Sequence, residues 1–457
     1  MNERLSPSDM SSLLAERGPI HVHVGATTIM EGEPPDYFGL LKHVGARLSL
    51  VPRFRQRITR ASLNLTNPKW ADDPGFDLRW HVRHSALPKP GSMAQLRDYV
   101  GRVMSEPLDF DRPLWQIYLI EGLENDRFAM ISKTHHALVD GVSAVDVGTI
   151  LLDASPEGTE IEMPEEPAEQ DASSPSMLFV RASGRVRERL RSTRKTATGA
   201  LTMPTETAKR VMKTAEGFVG LAAGGPSCPP SPFNVEISRD RVVAFGRGEL
   251  QALKDARGDG GATVNDVILA VVAGALRRFL AGRGDEVPRN LVALVPVSIR
   301  RPDEQLELGN RISTILVRLP LGEDDPAGRL EWIREETARL KQSGQARAAS
   351  LIIEATGWTP PTINRVLSDL TSRPLVFNLV VSNVPGPQMP FYLLGRRMLE
   401  VYPFVPLSPQ NHALSVGVIS YDGGVFFGLV GDRRVVADIN ELERCLEQSL
   451  EEQTAVA

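Results

Sequence analysis

Cysteine is nearly absent. Two thiols in 457 residues, Cys228 and Cys445, stand far apart. That is too few for a disulfide framework or a cysteine-rich zinc site, and it fits a reducing compartment. Charge of one sign is also lacking: 52 Lys and Arg stand against 57 Asp and Glu, a net charge of −5, so nothing global points to nucleic acid. Long hydrophobic runs are missing. The longest, near Val267–Leu276 and Leu291–Ile299, reach about ten residues, whereas a membrane-spanning helix needs about 20. Met1 to Arg17 has no apolar centre of the signal-peptide kind, so any membrane contact is expected to be peripheral. The chain has no Gly-x-Ser-x-Gly elbow, which argues against a serine hydrolase. It has no phosphate- or dinucleotide-binding glycine pattern, no metal-ligand constellation and no short-period repeat. Neither a metal nor a bound cofactor is expected.

Hydrophobic residues make up 42% and charged residues 24%, ordinary values for a globular protein, and a chain this long can bury large cores. Its length suggests two or three domains at roughly 100–200 residues each. Three zones stand out. Residues 1–155 alternate strand and helix patterns: a strand over Pro19–Thr28, a helix over Ala94–Met104, and strands over Trp115–Ile120 and Phe128–Ser132 joined by a turn at Glu124-Asn125-Asp126, with a helix following Asp140-Gly141 to about Leu152. Residues 156–225 differ. Pro156 to Pro175 is acidic and rich in Pro and Ser, the composition of a mobile linker. Arg181 to Lys195 carries seven basic residues and one acid, Glu188, as in a basic helix. Residues 226–457 return to alternating elements. Strands are read at Arg241–Phe245, Leu291–Ile299, Arg311–Leu319, Leu375–Val381, Leu414–Ser420 and Val425–Val430, and a long helix at Thr263–Leu280 with Thr263 as N-cap. The similar style of the outer zones suggests a pseudo-duplicated pair of mixed-sheet layers, an α/β fold.

The segment with chemical promise is His135-His136-Ala137-Leu138-Val139-Asp140-Gly141, at the end of an apolar strand. Adjacent strand residues face opposite sides, so the two histidines are poor joint ligands for one metal. Val139, Asp140 and Gly141 turn the chain into the next helix, where a side chain can be held at a pocket mouth. Histidine titrates near pH 6.5 when unperturbed, so a neutral base is available in the cell. The residues alone also admit a plainer reading: a structural histidine at a strand end, and Asp140 as a helix N-cap.

His-His-x-x-x-Asp-Gly is the signature of the coenzyme A-dependent acyltransferase superfamily, shared with peptide-synthetase condensation domains. The rest of the chain resembles the bacterial wax ester synthase/diacylglycerol acyltransferase family. The resemblance rests on Leu5-Ser6-Pro7-Ser8-Asp9, Pro113-Leu114-Trp115, Asn265-Asp266, Pro296-Val297-Ser298-Ile299-Arg300, Gly309-Asn310-Arg311-Ile312-Ser313 and Ser382-Asn383-Val384-Pro385-Gly386-Pro387, blocks that span nearly the whole chain. It implies two chloramphenicol acetyltransferase-like domains of two-layer mixed-sheet α/β type, with a tunnel between them. Residues 1–155 would be the N-terminal acyltransferase domain, 156–225 a linker with a basic helical segment, and 226–457 the C-terminal acyltransferase-like domain.

The implied activity is transfer of a long-chain acyl group from acyl-CoA, as co-substrate, to a lipid hydroxyl. The acceptor would be diacylglycerol or a long-chain alcohol, with no covalent intermediate. The implied catalytic set is His136 as general base, His135 in support, and Asp140 in an ion pair with an arginine from the second half, for which Arg300 is the choice. Gly141 would support the turn. Asn265 would assist the oxyanion or position the substrate, or else belong to the helix start that Thr263 and Asp266 cap. Trp115 would be core or a channel wall. The implied location is cytoplasmic, peripheral to the inner membrane or lipid bodies, with Arg181–Lys195 either on anionic membrane or as a solvated helix. Competing functions are a condensation-type enzyme using carrier-bound acyl groups and a non-catalytic lipid-binding protein on the same fold.

Overall fold

The computed structural model describes residues 3–5, 7–16, 18–59, 68–138, 150–158, 228–298, 312–342, 377–407 and 411–455. Val139, Asp140, Gly141, Arg300 and the stretch Arg181–Lys195 lie outside the described residues.

In chain order the first half contains strand β1 (Glu3–Arg4), helix α1 (Pro7–Ala15), β2 (His23–Glu31), α2 (Tyr37–Leu48), β3 (Gln56–Thr59), β4 (Lys69–Asp72), α3 (Leu78–His81), β5 (Val82–Ala86), α4 (Met93–Ser105), β6 (Trp115–Leu123) and β7 (Arg127–His135). The second half contains β8 (Arg241–Glu249), α5 (Leu250–Asp255), α6 (Val264–Arg283), β9 (Leu291–Ser298), β10 (Ile312–Leu319), α7 (Pro326–Gln342), β11 (Leu379–Pro385), β12 (Tyr392–Leu393), β13 (Arg396–Phe404), β14 (Leu414–Tyr421), β15 (Gly424–Asp432) and α8 (Ile439–Ala455). The strand expected over Pro19–Thr28 starts later, at His23, because Pro19 to Val22 approach it in irregular backbone.

Local sequence explains most of these elements. Asn125 and Asp126 take positive φ, 63° and 52°, as the turn of a β-hairpin demands and as short polar side chains tolerate. That turn folds β6 onto β7. Ser92 with Gln95 and Thr263 with Asp266 form complete capping boxes at the starts of α4 and α6, satisfying backbone N–H groups that a helix start leaves open. α6 is apolar almost all round, and it is buried accordingly.

Among the described residues, two six-stranded mixed sheets organise the fold. The first runs β12-β13-β2-β7-β6-β5 and the second β10-β9-β11-β14-β15-β8; β1, β4 and β3 make a small third sheet. β5 lies parallel to β6, and β11 parallel to both β9 and β14. The first sheet is not built from one continuous stretch of chain. β13 pairs antiparallel with β2, Tyr402 opposite Thr27 and Phe404 opposite Gly25, so residues 226–457 serve both sheets.

The second sheet is covered on both faces, which is why its strands read as unbroken apolar runs. Alternation divides each strand between two cores. Val242 and Ala244 face a core with α6 and α8, while Val243 and Phe245 face the core shared with the first half. Close backbone approach seals the junction. A Cβ on Gly428 of β15 would lie 1.8 Å from the carbonyl oxygen of Pro403 on β13, so only glycine fits there. On the other side α4 leans on β8, where a Cβ on Gly101 would lie 2.9 Å from the Arg241 carbonyl oxygen.

Candidate active site

β2 and β7 place two histidines opposite each other, His23 facing His135 in register. The His135 backbone N–H donates to the Leu114 carbonyl at 2.9 Å, and its side chain is fully buried. Both ring nitrogens are engaged. Nδ1 accepts the Ala137 N–H at 3.0 Å, and Nε2 lies 2.8 Å from Oε2 of Glu16. Because a backbone N–H can only donate, Nδ1 carries no proton and Nε2–H donates to the carboxylate. The edge of Phe110 packs at 5.6 Å. Burial pushes the Glu16 pKa up, but the hydrogen bond from His135 and the His21 ring beside the carboxylate outweigh it, and the carboxyl sits well below its usual range. Glu16 is therefore an ion, with its charge spent on holding its neighbours.

His136 follows immediately, half-buried, at the start of the turn that ends β7. Its N–H donates to the Val22 carbonyl at 2.9 Å, and the Leu138 N–H donates back to the His135 carbonyl at 2.9 Å. The paired histidines thus differ in environment, one sealed and the other partly open.

Beneath them lies a buried polar floor. His23 donates from Nε2 to the Met104 carbonyl at 2.9 Å, and burial with the nearby Lys133 charge holds its pKa well below the usual value. Lys133 is itself fully buried. Its Nζ reaches the carbonyls of Val103 and Glu106 at 2.7 and 2.5 Å, and burial lowers its pKa to about 8. His21 stacks on His23 at 5.7 Å, and its Nδ1 lies 3.6 Å from Glu16 Oε1.

Asn265 sits in the first turn of α6, its Oδ1 accepting from Asn383 Nδ2 at 3.2 Å. Two of the sequence blocks, one on α6 and one on β11, therefore meet through their side chains. Asp266 closes the capping box and also accepts from Thr337 Oγ1 at 2.8 Å, in keeping with the structural role read from sequence. Trp115 is buried, donating from Nε1 to the Phe54 carbonyl at 2.8 Å and stacking on His81 at 4.6 Å. It also lines a small apolar recess with Leu48, Val51 and Ile117. Among the described residues no group of three or more His, Cys, Asp or Glu could hold a metal ion.

Sequence reasoning passed over Glu16, His21, His23 and Lys133. The visible signal was the alternation His21-x-His23 entering a strand, with an acid five residues ahead of the first histidine. It also passed over two buried ion pairs. Arg241 Nη1 lies 3.7 Å from Asp432, while its Nη2 donates to the Pro19 carbonyl at 2.8 Å and its backbone N–H to Ser105 Oγ at 2.7 Å, tying the second sheet to the segment that leads into β2. Arg47 on α2 meets Asp153 at 2.5 Å, anchoring the chain downstream of the histidine motif.

Comparison with known proteins agrees with this arrangement. Residues 5–268 match the wax ester synthase/diacylglycerol acyltransferase catalytic domain, and residues 308–453 match the C-terminal domain of the same family. A probable diacylglycerol O-acyltransferase of Mycobacterium tuberculosis is 32% identical over 99% of this chain and 96% of its own length. A second from that organism is 33% identical over 98% of each. The solved wax ester synthase/diacylglycerol acyltransferase of Marinobacter aquaeolei superposes with a TM-score of 0.72 at 28% identity, covering 98% of both chains. The first condensation domain of the calcium-dependent antibiotic synthetase reaches 0.62 at 18% identity, a likeness of fold alone. Whole-length agreement in sequence and in architecture leads to one conclusion: the chain belongs to the wax ester synthase/diacylglycerol acyltransferase family.

Proposed function

We propose that this protein transfers a long-chain acyl group from acyl-CoA to a lipid hydroxyl, making triacylglycerol from diacylglycerol and, with a fatty alcohol as acceptor, wax ester. The observation that carries the reading is whole-length membership of the family together with an intact His135-His136-x-x-x-Asp140-Gly141 motif.

The chemistry asks little of the protein. A thioester is already activated, so the alcohol needs a base and the tetrahedral oxyanion needs donors. What supports His136 as that base is its partial exposure beside a histidine whose two nitrogens are already committed. His136 takes the proton from the acceptor hydroxyl as oxygen attacks the acyl carbonyl. When the tetrahedral intermediate collapses, the C–S bond breaks and the same proton passes to the departing thiolate, so no acyl-enzyme forms. Asn265 is assigned to the oxyanion or the substrate, and Asp140 to a structural ion pair with Arg300. Acyl-CoA and the lipid alcohol reach His136 along a passage between the two halves.

Both substrates partition to lipid, so the protein works at a membrane or lipid-body surface, held there peripherally. Among the described residues no helix is long and apolar enough to cross a membrane. The test is thiol release from palmitoyl-CoA with diacylglycerol, hexadecanol and a buffer blank, on wild type and His136→Ala. The reading predicts acceptor-dependent release by wild type alone; equal release without acceptor would sink it.

A further inference from the structure

We infer that Glu16 is the positioning residue of the histidine motif: one of its carboxylate oxygens sets the backbone on both sides of His136. This rests on the reading of His136 as the base.

The inference comes from a closed circuit of hydrogen bonds. The His136 N–H donates to the Val22 carbonyl at 2.9 Å, and the Val22 N–H donates in turn to Glu16 Oε2 at 3.2 Å. From the other side His135 Nε2–H donates to that same oxygen at 2.8 Å, while His135 Nδ1 accepts the Ala137 N–H at 3.0 Å. The two peptide groups that bracket His136 are thus both referenced to a single atom. That atom comes from the segment between α1 and β2, 119 residues from His135.

A carboxylate largely removed from water costs stability unless it is hydrogen-bonded. Glu16 keeps both of its Oε2 bonds only while the chain entering β2 and the chain leaving β7 stay in one fixed relation. The geometry matters because a catalytic group displaced by about 1 Å can lose about a hundredfold in rate.

Hydrogen bonding and charge can be separated here. Both bonds converge on Oε2, so glutamine with its amide oxygen in that place accepts both. Its NH2 then occupies the Oε1 position, 3.6 Å from His21 Nδ1. Alanine removes the acceptor, and aspartate, one methylene shorter, cannot reach both donors.

The experiment measures kcat and KM for palmitoyl-CoA with diacylglycerol, per mole of folded enzyme, for wild type, Glu16→Gln, Glu16→Ala, Glu16→Asp and His136→Ala. In parallel, 15N spectra of histidine-labelled protein report which ring nitrogen of His135 is protonated. Glu16→Gln should keep kcat within about threefold and the Nε2–H tautomer. Glu16→Ala and Glu16→Asp should lose about tenfold to a hundredfold in kcat with KM unchanged, and their His135 signals should show mixed tautomers. A Glu16→Ala variant with wild-type kcat, or a Glu16→Gln variant as slow as Glu16→Ala, would overturn the inference. If Glu16→Ala does not fold, Glu16→Asp and its spectrum decide. Full activity in His136→Ala would defeat the base assignment separately, while the spectra still judge the Glu16–His135 bond.

Discussion

Asn383 on β11 donates its side-chain amide to Oδ1 of Asn265 in the first turn of α6, at 3.2 Å. With its oxygen so used, Asn265 presents its own NH2 as a donor, the polarity an oxyanion site requires. The bond links a strand to a helix start that are 118 residues apart in sequence, so the orientation of Asn265 depends on packing between two elements.

An oxyanion role predicts that Asn265→Ala lowers kcat by about 10²–10³. Asn383→Ala should lose less, and the double variant should be little worse than Asn265→Ala alone, because both changes remove one shared interaction. Steady-state kinetics on the four proteins make the cycle. A loss of less than about threefold in Asn265→Ala would reduce it to a residue of the helix start.

His136→Ala should lose about 10²–10⁴ in kcat while unfolding at nearly the wild-type temperature, since a positioned base contributes on that scale. His135→Ala should differ in kind. It takes one of two donors from the half-buried Glu16 carboxylate and leaves the Ala137 N–H without its acceptor, so it should lower thermal stability as well as activity. Melting curves beside the kinetics separate the two.

Arg241 and Asp432 are both buried, and burial lowers the arginine pKa even though Asp432 opposes the shift. Arg241→Met should cost about 3–5 kcal/mol, because it leaves a buried carboxylate without its cation. It also breaks the link to Pro19 just ahead of β2. Denaturant unfolding measures the loss, and a cost below about 1 kcal/mol would mean that solvent reaches Asp432.

Lys133 predicts a pH dependence. Its pKa falls from 10.5 to about 8 on folding, so the unfolded chain binds the extra proton between those values. Stability contributed by this group therefore rises with pH from about 8 to about 10.5, and the penalty is fully present below about 8. The neutral amine still has two donors for Val103 and Glu106, so its bonds survive the loss of charge. Unfolding free energies of wild type and Lys133→Met at pH 7.5 and pH 10 test this: the difference should shift in favour of wild type at the higher pH.

Much of the architecture was legible locally. The turn at Asn125-Asp126, helix α4 and the Thr263 cap of α6 rest on residues within a few positions of one another. So do the apolar runs of β9, β14 and β15. Helix α8 was equally legible, with Ile439, Leu442, Leu446 and Leu450 at helical spacing, and was passed over. The strand over Arg396–Phe404 was a different matter, since nothing local says that it leaves its own half to pair with β2.

For the site, the sequence by itself determined the chemistry on offer: a histidine pair at a strand end, an Asn-Asp helix start, and motifs that mark the family. Only the tertiary structure decided which histidine is sealed and which stays partly open, because that depends on Glu16 arriving from 119 residues away. It also decided what Asn265 faces, where Lys133 is buried, and that Gly428 must be glycine under the Pro403 carbonyl. The physical reason is common to all of these. Periodicity and capping are short-range and can be read along the chain, whereas burial and hydrogen-bond partnership between distant segments exist only once the two sheets have closed on each other.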